Sequence, residues 1–462
     1  MRAAQSTESK VEIFEKMPVP KALATMAIPT IISQLITLIY NIADTWFIGQ
    51  TDNPYMVAAS SLVLTIFLIT IAITNLFGVG GGTLAVRLLG SGEEQEARKV
   101  VSLSLTLAAG ASLLYSLCCL IFMNPLLRFL GASDNTIGYA RQYLFFVVVI
   151  GGIPTVLSST MSTMLRNTGF SKEAAFGLGL GGVLNVVLDP LFMFVLLPDG
   201  YEVMGAAIAT MLSNCIAFTY FIVTYRRVQS TSILSLPKRI EKVRPQSLKS
   251  LFSVGIPAAI GVLLFDVSSM VLNRLVSSHG DLQLAAMGIV LKIERLPMNI
   301  GIGFCLGMVP LAAYNYAAGN YQRMRKFFTA ATISGLVVSI SSVILYSLTA
   351  PWLIRAFIND AQTISYGVPF LKARSLASPV MFLSFHLVHF MQAIDKGKIA
   401  FCMPIIRQLV LNIPVLLILN HLFGMSGIIW TQLTADSINV ISSFIFFFYV
   451  MRTLNRRSEN SL

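Results

Sequence analysis

The chain has 462 residues, of which 55% are hydrophobic and only 12% are charged. A soluble domain carries about 25% charged residues, so this composition excludes an ordinary soluble protein and indicates a membrane protein. The formal net charge of +12 fits loops that face anionic lipid headgroups, and we therefore expect membrane lipids and no nucleic acid as partners.

Apolar runs long enough to cross a bilayer, about 20 residues each, recur along almost the whole sequence. They are too long and too uniformly apolar for barrel strands, so they predict helices. We predict twelve transmembrane helices, over residues 22–48, 56–84, 100–123, 139–164, 174–197, 204–225, 251–273, 284–312, 327–349, 366–392, 400–419 and 425–450.

The distribution of Lys and Arg predicts the orientation, because basic residues are retained on the cytoplasmic side of a membrane. Of the 33 Lys and Arg residues, 24 lie in the two termini and the even-numbered loops, and six lie in the odd-numbered loops. We therefore expect both termini to be cytoplasmic, in the cytoplasmic (inner) membrane of a bacterium.

Short motifs recur at a nearly constant offset. Ala27-Ile28-Pro29 returns 228 residues later as Gly255-Ile256-Pro257, and Gly78 matches Gly307 at an offset of 229. These matches predict a duplicated six-helix unit. Because six is even, both copies should have the same orientation and be related by a pseudo-twofold axis along the membrane normal.

The predicted fold class is therefore an all-α polytopic membrane protein with two parallel six-helix bundles. Two equal halves around a cavity are typical of an alternating-access transporter. No Walker A sequence is present, so any energy source has to be an ion gradient. The predicted division of the chain is an N-terminal lobe, a cytoplasmic linker and a C-terminal lobe, over residues 1–227, 228–249 and 250–462.

Two carboxylates stand inside apolar segments of the first half. Asp44 follows Tyr40 by one turn, and Asp189 follows Asn185 by one turn. A charge inside the bilayer is costly, so each of these acids is a candidate functional residue. Together with Tyr40 and Asn185, the two acids could form a site of oxygen ligands for Na⁺, or they could form a proton-binding site. The alternative is a hydrogen-bonded pair that only fixes helix packing.

The second half lacks this pair, since Leu272 and Leu417 stand at the equivalent offsets. We therefore expect ion coupling to reside in the N-terminal half. Asp266 is the acid of the seventh segment, and it could either face a cavity or pair with Lys292 or Arg295. The neighbouring Glu294 favours an ion-pair network near the interface.

His386 and His389 share a helical face in the tenth segment, a spacing that can suit a metal or a proton relay. No acid lies near them in sequence. Hydrogen-bonded packing is therefore the favoured interpretation of these two histidines.

Several segments together resemble one family. They are the AIP opening of the first helix, YNIADTWFIG, LFGVGGGTLAVRLLGSG, LNVVLDPLF and GAAIAT. In a duplicated twelve-helix frame they resemble the multidrug and toxic compound extrusion (MATE) family, and within it the bacterial MepA-like branch. The resemblance covers roughly residues 12–452.

The resemblance implies export of cationic or amphipathic drugs and dyes in exchange for Na⁺ or H⁺. It places the ion-coupling site, which would hold any Na⁺, on Asp44, Asn185, Asp189 and Thr210 with Tyr40 nearby. It places the substrate cavity at Asp266, Thr37 and Asn41. Some relatives carry Gln where this chain has Thr37, and the tenth-helix acid of one branch has no counterpart in FLSFHLVHF.

We therefore expect a monomeric secondary active multidrug exporter that is not an enzyme and needs no cofactor beyond the coupling ion. The first alternative is a flippase for a lipid-linked or polysaccharide precursor, because the wider superfamily shares this frame. A membrane-embedded acyl- or prenyl-transferase is a further alternative, although it would need a catalytic His or an Asp-rich pair at the interface.

Overall fold

The computed structural model describes residues 12–51, 53–237 and 242–459. Within these residues every regular element is a helix. Ten helices are long and apolar enough to cross a membrane, and two further pairs of shorter helices make the number twelve if each bent pair is one span. The twelve predicted segments all fall on these spans, and the predicted all-α polytopic fold is confirmed.

The first six spans alternate with short loops, and a short helix, Met123–Phe129, lies between the third and fourth. They are α1 Val19–Gly49, α2 Pro54–Gly90, α3 Glu94–Ile121, α4 Ile137–Ile150 with Gly152–Asn167, α5 Ser171–Leu196 and α6 Glu202–Val228. The second six are α7 Pro245–Ser277, α8 Asp281–Ala317, α9 Tyr321–Arg355, α10 Ala361–Ser375 with Ser378–Ala393, α11 Gly397–Phe423 and α12 Met425–Glu459.

The fourth span of each half is bent in the same way. The two parts of α4 meet at 48°, and those of α10 meet at 47°. Each second part carries a proline in its first turn, Pro154 and Pro379. Proline lacks the backbone donor that a continuous helix needs, so a break at this point is expected in both.

The chain forms two compact units. One unit contains Ile32–Ala259 with the described residues before Pro18, and the other contains Pro18–Ile31 and Ile260–Leu462. The beginning of α1 thus belongs to the second unit, and the beginning of α7 belongs to the first. The sequence-based division had placed both beginnings with the rest of their own helices, and it stays a prediction. Residues 238–241 of the predicted linker lie outside the described residues.

Glycines allow the exchanged helix beginnings to pack closely. In the first unit, a Cβ added to Gly80 of α2 would lie 2.9 Å from the Cα of Gly255 in α7. In the second unit, a Cβ added to Gly307 of α8 would lie 2.7 Å from the Cα of Ala27 in α1. Small residues are common where transmembrane helices approach closely, because van der Waals packing drives their association.

Candidate functional site

The predicted ion site is assembled mainly around α5. The Nδ2 of Asn185 donates to Oδ1 of Asp189, one turn later, at 3.1 Å. The same nitrogen donates to Oγ1 of Thr210 in α6 at 3.2 Å. Asn185 is 3% exposed and Asp189 is 0% exposed. The structure therefore brings three of the predicted residues together in one buried hydrogen-bonded group.

Two glycines of α5 bring α1 against this group. A Cβ added to Gly182 would lie 2.9 Å from Cγ2 of Ile36 and 3.0 Å from Cδ1 of Tyr40. Gly179, one turn earlier, also faces Ile36. Because Asp44 lies one turn after Tyr40, this register carries its side chain towards Asn185 and Asp189.

The carboxyl groups of Asp44 and Asp189 are close enough to interact electrostatically. The phenol of Tyr40 also lies within the field of Asp44. Two negative charges that lie close together repel each other strongly in a poorly solvated site. Both acids can therefore stay ionised only if a cation compensates them, and otherwise one of them takes up a proton.

Three oxygens of this group are buried and have no hydrogen-bond partner. They are Oδ1 of Asp44, Oδ1 of Asn185 and Oδ2 of Asp189. Leaving a buried polar atom unsatisfied costs about 1–3 kcal/mol, and more for a charged group. Three such acceptors from two helices therefore suit the uptake of a small cation.

The donor set fits Na⁺ or a proton better than a transition metal. Carboxylate, amide and hydroxyl oxygens are the ligands that hard cations prefer, and protonation of one acid would also relieve the repulsion. Among the described residues there is no cluster of three or more His, Cys, Asp or Glu side chains that could hold a metal ion.

Tyr143 of α4 is a site neighbour that the sequence did not predict. Its phenol is buried and lies within the electrostatic field of Asp44, Asp189 and Tyr40. The hydroxyl of Ser213 in α6, one turn after Thr210, is also buried and without a hydrogen-bond partner. Neither residue belongs to a sequence motif that marks it, so only the packing of α4 and α6 identifies them.

Two residues predicted for the substrate cavity lie on α1. Asn41 is exposed, and its Nδ2 donates to the backbone oxygen of Thr37 at 2.8 Å. Thr37 is half-buried. The amide group of Asn41 is thus partly used within its own helix.

Asp266 of α7 is half-buried and makes no ion pair within 4 Å among the residues that the structure describes. It does interact electrostatically with Arg295 of α8. Of the two arrangements left open by the sequence, a closed salt bridge with Lys292 or Arg295 is therefore absent from the described residues.

Four charged residues of the second unit form two buried ion pairs. Arg374 binds Glu294 through two hydrogen bonds of 3.0 Å. Arg407 binds Asp436 through bonds of 2.6 Å and 3.1 Å, and its guanidinium lies 4.4 Å from the centre of the Phe385 ring. The expected ion-pair network at Glu294 exists, but its partner is Arg374 of α10 rather than a residue of its own helix.

The two histidines of α10 have packing partners. His386 is fully buried between the rings of Phe328 and Phe382. Its Nε2 lies 3.3 Å from the backbone oxygen of Phe328, and Nδ1 of His389 lies 2.8 Å from that of Phe385. This arrangement favours the packing interpretation over a metal site.

Up to twelve apolar spans within the described residues, with an ionisable cluster buried between helices, are typical of a polytopic membrane transport protein. The MatE family model matches residues 29–191 and again residues 257–418. The chain therefore belongs to the MATE family. The two matched stretches begin 228 residues apart, which is the offset of the motif repeat.

Curated relatives match over nearly the whole chain. Multidrug export protein MepA of Staphylococcus aureus (strain MSSA476) is 30% identical over 440 residues, which is 95% of both chains. Multidrug export protein MepA of Staphylococcus haemolyticus (strain JCSC1435) is 32% identical over 448 residues, which is 96% of both.

Solved structures share the fold. A MATE transporter in complex with MaD3S superposes with a TM-score of 0.90 at 22% identity, over 96% of this chain and 99% of that one. The outward-facing conformation of a multidrug resistance MATE family transporter of the MOP superfamily gives a TM-score of 0.88 at 22% identity, over 99% of both. The predicted MATE-like fold is thus confirmed.

Proposed function

We propose that this protein is a secondary active multidrug exporter that exchanges cationic or amphipathic drugs for Na⁺ or H⁺ by alternating access. The observation that carries the proposal is the group of unpartnered buried oxygens on Asp44, Asn185 and Asp189. A charge inside a bilayer costs about 2.5–3.5 kcal/mol on insertion scales, so a cation or proton has to offset it.

In this mechanism the coupling ion compensates the two carboxylates of the first unit. Without the ion, repulsion between Asp44 and Asp189 favours any arrangement that separates α1 from α5. With the ion, the two helices are drawn together. An ion can shift a conformational equilibrium only through a difference in its affinity for the two states, and this difference in helix spacing supplies one.

The names of the curated relatives support drug export over the flippase alternative, because they are multidrug export proteins. The proposal includes a monomer in the bacterial cytoplasmic membrane with both termini in the cytoplasm. Drug binding by Asp266, Thr37 and Asn41 belongs to the proposal as well.

The test is drug efflux into everted vesicles by the Asp189→Asn variant. We expect efflux to be lost, because the variant keeps the size of the side chain but removes one of the two carboxylates. Asp199→Asn is the matched control, since Asp199 is an exposed acid of a loop in the same unit. Equal efflux by the two variants would contradict the proposal.

The coupling ion is identified with the wild-type protein in proteoliposomes. Dye efflux is measured with a Na⁺ gradient alone and with a pH gradient alone. Efflux driven by one gradient identifies that ion, and efflux that neither gradient drives would overturn secondary active transport.

A further inference from the structure

An apolar cavity of about 510 Å³ lies within the first unit, between α3, α4 and α6. The apolar helix residues that line it are Leu105, Ala109, Leu157, Met161, Phe218 and Ile222. A hydroxyl in the wall, that of Thr106, already donates to the backbone oxygen of Ser102 at 2.9 Å. The inner wall therefore presents hydrocarbon rather than hydrogen-bonding groups to a ligand.

The cavity runs from the membrane surface towards the middle of the bilayer. Arg226, two residues before the end of α6, lines its outer end, and Phe218 lines it about two turns deeper. Eight residues of helix span about 12 Å. One leaflet is half of a hydrocarbon core of roughly 30 Å, so the cavity extends over most of a leaflet. In the proposed orientation this is the cytoplasmic leaflet.

Two arginines stand at the outer end of the cavity. Arg226 is exposed, and Arg98 of α3 lies two turns before Leu105 on the same face of its helix. Nη1 of Arg98 donates to the backbone oxygen of Gln229, just after α6, at 3.4 Å, which places this guanidinium beside the end of α6. The apolar wall thus ends in positive charge at the membrane surface.

The acids at the beginning of α3 do not neutralise these arginines by contact. Glu93 and Glu96 both pair with Arg244. Among the residues that the structure describes, neither Arg98 nor Arg226 makes an ion pair within 4 Å. Both positive charges are therefore available to an anionic ligand.

The segment after α6 closes one side of the cavity. Ile233 and Leu234 are buried in the same apolar core as Leu105 and Met161, which anchors the segment to the first unit. The two residues of this segment that line the cavity are Leu236 and Pro237. A ligand in the cavity would therefore contact this segment as well as three transmembrane helices.

We propose that this cavity binds one anionic phospholipid, with an acyl chain along the apolar wall and the headgroup at Arg226 and Arg98. A pocket of about 300–1,000 Å³ can enclose a drug-sized ligand, so the volume is sufficient for an acyl chain. The chain exchanges one hydrocarbon environment for another, so the headgroup charge decides which lipid is preferred. The proposal goes beyond drug export and does not depend on it.

The charge of the wall favours a lipid over an exported cationic drug. None of the residues that line the cavity is acidic, and the charged residue among them is Arg226. A cation would meet repulsion at the outer end and no compensating carboxylate further in. An anionic headgroup at the same position is attracted instead, while its acyl chain stays among apolar side chains.

The test is lipid binding to the purified full-length protein in detergent, resolved one lipid at a time by native mass spectrometry. The probes are phosphatidylglycerol and phosphatidylcholine with the same acyl chains, so that only the headgroup differs. We expect the first phosphatidylglycerol to bind with a dissociation constant about tenfold lower than that of phosphatidylcholine. Equal affinity of the wild-type protein for the two lipids would overturn the proposal without a variant.

Arg226→Gln should reduce the preference for phosphatidylglycerol to about twofold, because one of two positive charges is removed. Arg227→Gln is the matched control, since Arg227 is the next residue, is also exposed and does not line the cavity. It should keep the wild-type preference. The same loss in both variants would overturn the proposal, because it would show attraction to the surface charge in general.

A second pair of variants tests the apolar wall. Ala109→Phe places a ring in the cavity and should weaken the first binding event of both lipids by about tenfold. Gly110→Phe is its control, because a Cβ at Gly110 meets no atom within 4 Å. This control should bind both lipids as the wild-type protein does. Unchanged lipid binding by Ala109→Phe would overturn the proposal.

Competition on the wild-type protein distinguishes the lipid from other occupants. The protein with one bound phosphatidylglycerol is mixed with a permanently cationic dye or with inorganic phosphate. We expect the lipid to stay bound in both mixtures. Its release by the dye would identify a drug site, and its release by phosphate would identify a site for free anions; either result would overturn the proposal.

Discussion

Asn185 donates to Asp189 over one turn of α5, and this bond at 3.1 Å fixes one of the two carboxylate oxygens. The other oxygen, Oδ2, is buried and has no partner. The amide therefore presents the acid with one oxygen satisfied and one oxygen available. A cation that binds here meets a group whose orientation is already fixed, so little ordering has to accompany binding.

Replacing Asn185 with Leu should weaken the coupling of transport to the ion. The variant removes the donor to Asp189 and to Thr210, and it removes an available carbonyl oxygen as well. We expect the ion concentration for half-maximal drug efflux to rise by about tenfold or more. The measurement is efflux from proteoliposomes as a function of the coupling ion.

Thr210→Val is the graded comparison for Asn185→Leu. It removes only one acceptor of the same amide, so its effect on the half-maximal ion concentration should be smaller than that of Asn185→Leu. A larger effect of Thr210→Val, or none from either variant, would contradict the role of the amide.

Replacing Gly182 with Ala should separate α1 from α5 and reduce efflux. The added Cβ would lie 2.9 Å from Cγ2 of Ile36 and 3.0 Å from Cδ1 of Tyr40, so these side chains, or the helix that carries them, have to shift. Overpacking of this kind typically costs about 1–3 kcal/mol. Gly110→Ala is the control, because a Cβ there meets no atom within 4 Å. Efflux by the two variants should differ clearly, and equal efflux would show that this contact does not position Asp44.

Much of the fold could be predicted because membrane insertion imposes simple rules on sequence. Apolar length predicts the spans, and the 228-residue repeat predicts two halves, since both depend on local composition. The exchange of helix beginnings between the two units was not predicted. It depends on close contacts between helices, such as that of Gly80 with Gly255, which the hydropathy of a single segment does not predict.

The candidate site was predictable to the extent that its residues lie one turn apart on one helix. Asn185 and Asp189 are such a pair, and a shared face follows from the helical period. The pairing of Arg407 with Asp436 was missed, because the two residues lie on different helices and their rotation depends on packing. Tyr143 was missed for the same reason, as α4 carries no motif at that position.

Breaking the pair of Arg407 and Asp436 should destabilise the protein strongly. Asp436 is 0% exposed, so Arg407→Met leaves a buried carboxylate without its cation. We expect a loss of about 3–5 kcal/mol, visible as a lower apparent melting temperature in detergent. The double variant Arg407→Met with Asp436→Leu should recover part of this loss, because it removes the unpaired charge.

Arg128→Met is the control for this prediction. Arg128 of the short helix Met123–Phe129 pairs with Asp134, and the two side chains are 49% and 88% exposed. An exposed pair contributes only about 0–1 kcal/mol, so the melting temperature should hardly change. Similar shifts for Arg128→Met and Arg407→Met would show that burial does not decide the energy of these pairs.

Glu96 of α3 stabilises the beginning of α7 inside the first unit. Its Oε1 accepts from the backbone nitrogen of Arg244 and from the hydroxyl of Ser247, both at 2.8 Å. The carboxylate thus lies at the N-terminus of α7, where the helix has unsatisfied N–H groups and a partial positive charge. Glu96→Ala should cost about 1–3 kcal/mol, because it leaves the buried hydroxyl of Ser247 and the backbone N–H of Arg244 without their acceptor.

The effect of Glu96→Ala should be local, and amide hydrogen exchange can resolve it. We expect faster exchange in residues 245–250 and little change in the second unit. Glu93→Ala is the matched control, since Glu93 pairs with the exposed guanidinium of Arg244 and accepts no described backbone bond. It removes the same charge from a position three residues earlier, at the beginning of α3, but keeps the bonds to Oε1 of Glu96. If Glu93→Ala accelerates exchange as much as Glu96→Ala does, net charge rather than the hydrogen bonds of Glu96 holds α7 in place.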